Sequence, residues 1–130
     1  MIADTSFLID IMRGDELAIH KETTMEKDEV QVFLTTVSIF ELHVGFNLST
    51  KQIQESEKIE RVLGNLIVLP LDFVSAKEAG EIYADKKRRG SPIDPEDAMI
   101  AGICRAHGEP ILTRNVNHFS GIDGLKVESY

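Results

Sequence analysis

MIADTSFLID, residues 1–10, sets an apolar run, an acid and a helical stretch in direct succession. Met1-Ile2-Ala3 is a short apolar run that stops at an acid, Asp4, and TSFLIDIMRG (5–14) then reads as a brief helix. Thr5 and Ser6 are both candidates for its N-cap, and Gly14 stands where a helix end wants a left-handed residue. An apolar strand, an acid and a helix in that order begin an α/β unit. An acid closing a buried strand needs hydrogen-bond partners or a cation to offset its desolvation.

The same alternation recurs along the chain. Asp15 opens a second, weakly amphipathic helical stretch that fades in ETTMEKDE (22–29), and VQVFL (30–34) is β-branched, aromatic and too short for a helix. Ile39, Leu42 and Phe46 recur at helical spacing and predict a helix from about Ser38 to Leu48. A more polar helix from about Lys51 to Leu63 follows. LIVLPL (66–71) predicts a buried strand ended by Pro70, and Asp72 is placed to cap a long helix from Phe73 to Arg89. That helix carries an Ala76, Ala79, Ile82, Tyr83 stripe, gathers Lys86-Lys87-Arg88-Arg89 at its negative end and stops at Gly90. SPIDPEDAMIAG (91–102) starts the next helix, with Ile100, Ala101 and Cys104 on one face and Gly108 at its end. PILT (110–113) and KVESY (126–130) are two more short strands. Strands that are apolar throughout, alternating with helices, predict a three-layer α/β/α sandwich around a mostly parallel sheet. Ligands gather at the carboxyl ends of such strands, where Asp4 and Thr113 fall.

Composition bounds the rest. A chain of 130 residues supports one hydrophobic core, so a single domain over 1–130 is expected. Its apolar fraction of 42% and charged fraction of 28% are ordinary for a globular protein. No apolar run reaches the roughly 18 residues of a membrane span, and the first residues lack the basic region and cleavage site of a signal peptide. The single cysteine, Cys104, suits a reducing compartment, so a cytoplasmic setting is expected, and its place on an apolar helix face reads as core. Twenty-two acids against 14 bases give a net charge of −8, which argues against a general grip on nucleic acid but leaves room for a local basic strip. Phe7, Phe33, Phe40, Phe46 and Phe73 are expected to fill the core. Ile59, Val62 and Leu63 fit either internal packing or a dimer face.

The acids have structural readings of their own. Asp94-Pro95-Glu96-Asp97 makes a good helix start, with Asp94 as N-cap, Pro95 at the first helical position and two acids in the positive first turn. Ser38-Ile39-Phe40-Glu41 fits a capping box in which Glu41 reaches back to the Ser38 backbone. Yet Asp4 ends the first strand, and Glu41 and Asp97 each lie in the first turn of a helix, places that a doubly wound sheet can bring to one edge. Clustered carboxylates raise each other's pKa unless a cation neutralises them, and such a set without paired His or Cys ligands selects hard cations, Mg²⁺ or Mn²⁺.

Four segments, ADTSFLID (3–10), TTVSIFELHVG (35–45), GSPIDPEDAMIAG (90–102) and ILTRNVNHF (111–119), resemble the PIN-domain ribonucleases, most closely the VapC-like toxins of toxin–antitoxin pairs. They occur in the family's order and span nearly the whole chain. The resemblance implies a PIN-like sandwich and a metal-dependent endoribonuclease that hydrolyses RNA phosphodiesters. It assigns Asp4, Glu41 and Asp97 to the metal, with Mg²⁺ or Mn²⁺ as cofactor, and places Ser6 and Thr113 as hydroxyls beside the site. Thr113 or Asn115 would position the attacking water. Arg114 and the Lys86–Arg89 run, Lys86 and Arg89 in particular, are candidates for RNA phosphate. A VapB-like antitoxin and a homodimer are the partners it implies. Many family members carry a fourth acid just after the strand that here reads ILT; this chain has Asn115 and, later, His118, which leaves one or two ions open. Two other readings stand beside it. One is a weak or inactive PIN-fold module acting through protein or RNA binding. The other, a phosphoacceptor receiver, wants paired acids after the first strand and a lysine after a later one; neither is present.

Overall fold

The computed structural model describes residues 1–64 and 66–130. The chain runs β1 (Ile2–Ala3), α1 (Thr5–Arg13), α2 (Glu16–Lys27), β2 (Phe33–Thr35), α3 (Thr36–Leu48), α4 (Gln52–Leu63), β3 (Ile67–Leu69), α5 (Phe73–Arg88), α6 (Pro95–His107), β4 (Ile111–Leu112), α7 (Val116–Phe119) and β5 (Val127–Glu128). The five strands form one parallel sheet in the order β3-β2-β1-β4-β5. The chain therefore builds outward from β1 to β3, then crosses back to lay β4 on the other side of β1. Ile2 pairs with both Phe33 and Ile111, and Ala3 pairs with Leu112.

Successive strand residues point to opposite faces, and two cores result. Ile2 and Ile111 join Ile82, Ile100, Ile103 and Phe119 on one face. Ala3, Leu34 and Leu112 join Phe7, Leu8, Met25 and Ile59 on the other. Central β1 is fully buried, as its unbroken apolar run requires. The α/β/α expectation is met. Cys104 is fully buried in the first core, and burial pushes its thiol far up, which makes it an unreactive packing residue. Ile59 packs internally, with Val62 and Leu63 against its cluster. Among the described residues, no helix is long and apolar enough to cross a membrane.

Several local expectations need correction. LIVLPL supplies an edge strand rather than a buried one: Ile67 is 52% exposed, because β3 has a neighbour on one side alone. The strand in VQVFL starts late, at Phe33, and Val30 lies outside it, exposed. Helix α2 does not fade in its charged half but runs to Lys27, with the Asp15 carboxylate accepting from the Ala18 N–H. Helix α3 starts two residues before Ser38, and the Thr35 hydroxyl caps it by accepting from the Ser38 N–H at 3.0 Å. Phe40 and Phe73 are exposed, and Phe119 is the phenylalanine most deeply placed in the core. The buried stripe of α5 is Ser75, Ala79, Ile82 and Lys86, rotated from the predicted one because α6 crosses it very closely at Gly102. Gly14 and Gly108 end their helices in left-handed backbone, as their positions predict, and Asp72 caps α5 through the Ser75 N–H.

Candidate active site

The sheet reverses direction of growth between β1 and β4, the switch point at whose carboxyl strand ends such sheets form a binding crevice. Asp4 stands there, one residue past β1. It occupies the N-cap position of α1 but makes no side-chain capping bond. Its carboxylate is turned inward instead: Oδ2 accepts from the Ser6 hydroxyl at 2.8 Å and from the Thr113 hydroxyl at 2.7 Å. All three side chains are buried. The backbone N–H groups of Arg114 and Asn115 donate to Ser6 Oγ and Thr113 Oγ1 in turn, which fixes both hydroxyls to spend their protons on Asp4.

Glu41 approaches Asp4 from α3, near enough to feel its charge. Because the helix begins at Thr36, Ser38 lies inside its first turn and the capping box does not form. Glu41 Oε1 accepts from the Thr5 hydroxyl at 2.8 Å, and Thr5 Oγ1 lies 2.9 Å from Ser38 Oγ. Burial pushes the Glu41 carboxyl above its usual range; the Thr5 hydrogen bond opposes this, and the charges of Asp4, Asp97 and Glu96 add to it.

Asp97 arrives from the first turn of α6. Asp94 holds the N-cap position with Pro95 after it, but its side chain makes no capping bond. Burial pushes the Asp97 carboxyl up, the Asp4 charge adds to this, and His118 opposes it. The opposition is direct: His118 Nδ1 lies 3.0 Å from Asp97 Oδ2. The three acids thus come from three separate elements; Glu41 feels the charges of Asp4 and Asp97, and Asp97 feels that of Asp4.

The three share one more feature. Each acid is tethered through a single oxygen, Asp4 Oδ2, Glu41 Oε1 and Asp97 Oδ2, and among the described residues no hydrogen-bond donor occupies the other. As placed, no three His, Cys, Asp or Glu side chains among the described residues are gathered tightly enough to enclose an ion. The donor chemistry suits a hard divalent cation: the open atoms are carboxylate oxygens, and the nearby imidazole is turned to a carboxylate.

The predicted phosphate contacts divide. Arg114 is half exposed beside the crevice, its guanidinium paired with buried Asp10, which also accepts from the Tyr130 hydroxyl at 2.6 Å. Asn115 leads into α7, half-buried, without a side-chain capping bond. Lys86 does not stand out toward solvent. It is 6% exposed, and its ammonium donates to Ser91 Oγ at 3.2 Å and to the Ser120 carbonyl at 3.0 Å, so it is a strut between loops rather than a phosphate contact. Arg89 pairs with Asp85 and donates to the Gly121 carbonyl. Thr5, Asp10, Tyr130 and His118 were not legible as partners of the site. Their contacts join positions 21 to 120 residues apart, and no local spacing records such pairs.

A parallel sandwich with acids converging at its switch point is the layout of a PIN domain. The PIN domain model matches residues 1–125, and the chain belongs to that family. Within it, the likeness is to VapC proteins. The tRNA(fMet)-specific endonuclease VapC of Shigella flexneri is 28% identical over 127 residues, covering 98% of this chain and 95% of its own. The protein of the same description from Salmonella typhimurium is 30% identical over 97 residues, covering 75% and 74%. The crystal structure of DNA-bound VapBC from Salmonella typhimurium superposes with a TM-score of 0.88 at 26% identity, covering 98% of this chain and 96% of that one.

Proposed function

We propose that this chain is a VapC-type endoribonuclease, a single-domain hydrolase of RNA phosphodiesters that works with Mg²⁺ or Mn²⁺ held by Asp4, Glu41 and Asp97. One observation carries the reading: three carboxylates from three elements, near enough for their charges to act on one another, are each tethered through one oxygen with the other left open. When bound, the divalent ion polarises a phosphoryl oxygen and acidifies water. The chain's own residues do the rest. Ser6 and Thr113 hold the Asp4 carboxylate still, Thr5 holds Glu41, and the Asn115 amide orients the attacking water. Arg114, aimed by Asp10, meets the RNA phosphate.

The net charge of −8 and the acidic crevice favour a basic protein partner, and the likeness to a VapBC assembly supports a VapB-like antitoxin in that role. For a homodimer, the surface offered is an apolar groove of about 360 Å³ between α5 and α6, lined by Leu71, Ala76, Tyr83 and Met99. The buried, lone Cys104 suits the reducing cytoplasm.

The test is cleavage of a mixed structured-RNA pool with Mn²⁺, Mg²⁺ or EDTA, with Asp97→Asn beside the wild type. Cleavage is expected to need metal, to disappear in the folded variant and to survive Asp94→Asn. Equal cleavage by folded Asp97→Asn would refute the assignment. No cleavage of any RNA by folded wild-type protein would favour a binding module.

A further inference from the structure

We propose that His118 is a positioning residue that locks the Asp97 carboxylate and so sets how tightly the acidic crevice holds a divalent ion. The inference rests on the metal-site reading above and adds a residue to it. Asp4 and Glu41 are each tethered by hydroxyls. Asp97 has no hydroxyl; among the described residues its one side-chain partner is the His118 imidazole, whose Nδ1–H donates to Oδ2 and leaves Oδ1 open. Ligating carboxylates lose orientation, and with it affinity, when such partners are removed.

The structure fixes this pair more firmly than an exposed histidine on a four-residue helix would suggest. The next residue, Phe119, is 1% exposed and anchors α7 in the core. Immediately after it, the Ser120 carbonyl accepts from the Lys86 ammonium, and the same ammonium donates to Ser91 in the loop that leads into α6. One buried cation therefore ties the segment after His118 to the segment before Asp97. With both flanks held, the imidazole and the carboxylate meet in one register.

The experiment is Mn²⁺ titration by calorimetry, without RNA, on wild type, His118→Ala, His118→Asn and His118→Gln, each checked for its fold by circular dichroism. His118→Ala should weaken Mn²⁺ by about 10- to 100-fold, the loss typical of an orienting partner, and His118→Asn should recover to within about threefold of wild type. The asparagine amide nitrogen sits on Cγ, as Nδ1 does, whereas the glutamine nitrogen is one bond further out. His118→Gln should therefore stay weak. Wild-type affinity in folded His118→Ala, or equal rescue by Asn and Gln, would overturn the role of His118 while leaving the metal site standing. Failure of the wild type itself to take up Mn²⁺ would overturn the metal-site reading, and this inference with it.

Discussion

Replacing Gly102 with alanine tests the joint that carries Asp97. A Cβ at Gly102 would lie 2.5 Å from the Ser75 carbonyl oxygen, 2.6 Å from the Ala79 nitrogen and 2.7 Å from Ala79 Cβ. Two of these atoms are backbone, so no side-chain rotation relieves the contact, and α5 and α6 must part by roughly an ångström in a close-packed interior. Overpacking of this kind costs about 1–3 kcal/mol, and rigid neighbours put this case at the upper end. Alanine returns about 1 kcal/mol through helix propensity, which leaves a net loss of about 2 kcal/mol. With an unfolding entropy of about 2.1 cal/mol/K per residue, that loss lowers Tm by roughly 7 °C. Gly45 supplies the control. It is exposed on α3, and nothing lies within 4 Å of a Cβ built there, so Gly45→Ala should gain about 1 kcal/mol from the same substitution. Urea and thermal unfolding of both variants read the two signs. Gly102→Ala as stable as wild type, or shifted in the same direction as Gly45→Ala, would refute the close crossing of α5 and α6.

Two further predictions concern stability. Burial and neighbouring charge hold Asp97 and Glu41 above the usual carboxylate range, so the stability they contribute is whole below their unfolded pKa values and is lost as pH rises through the raised folded ones. In metal-free buffer, Asp97→Asn should therefore be more stable than wild type at pH 7, with the advantage fading toward about pH 4; a variant destabilised equally at every pH would contradict this. Ser75 is fully buried, and its Oγ has no partner among the described residues, so Ser75→Ala should stabilise the protein by about 0.5–1 kcal/mol in urea melts. A loss of stability would mean that the hydroxyl is bonded.

Much of the fold could be read because local chemistry and tertiary structure agree. Asp72, Gly14 and Gly108 act at helix ends through their nearest neighbours, and a short window contains all that is needed. The candidate acids could be read because Asp4 closes the first strand and Asp97 lies in the first turn of a helix, places an α/β sheet brings to one edge, while Glu41 lies one turn further into α3 than its reading required. What failed was orientation. Glu41 fitted a capping box four residues long, but Thr35 took the cap and turned Ser38 and Glu41 toward Thr5. Lys86 looked like one of four solvated cations until the rotation of α5 against α6 drove it inward. Ile67 and Val68 are as apolar as any buried strand, and their exposure follows from a strand order that no run of residues encodes. The tether of Asp97 lies 21 residues away, and an imidazole outside any ligand spacing gives no sign of its partner.

The carboxylate of Asp4 is completed by Thr113, which is made 109 positions later. Asp97 and His118 also arrive late. Nothing shorter than the span from Asp4 to His118 assembles the crevice, so a ribosome making this protein carries no cutting edge before that span is complete. Long-range closure of this kind is slow compared with helix formation. A cell producing this chain thus has an interval, between synthesis and the pairing of β1 with β4, in which a partner can meet the protein before it acquires the means to cut RNA.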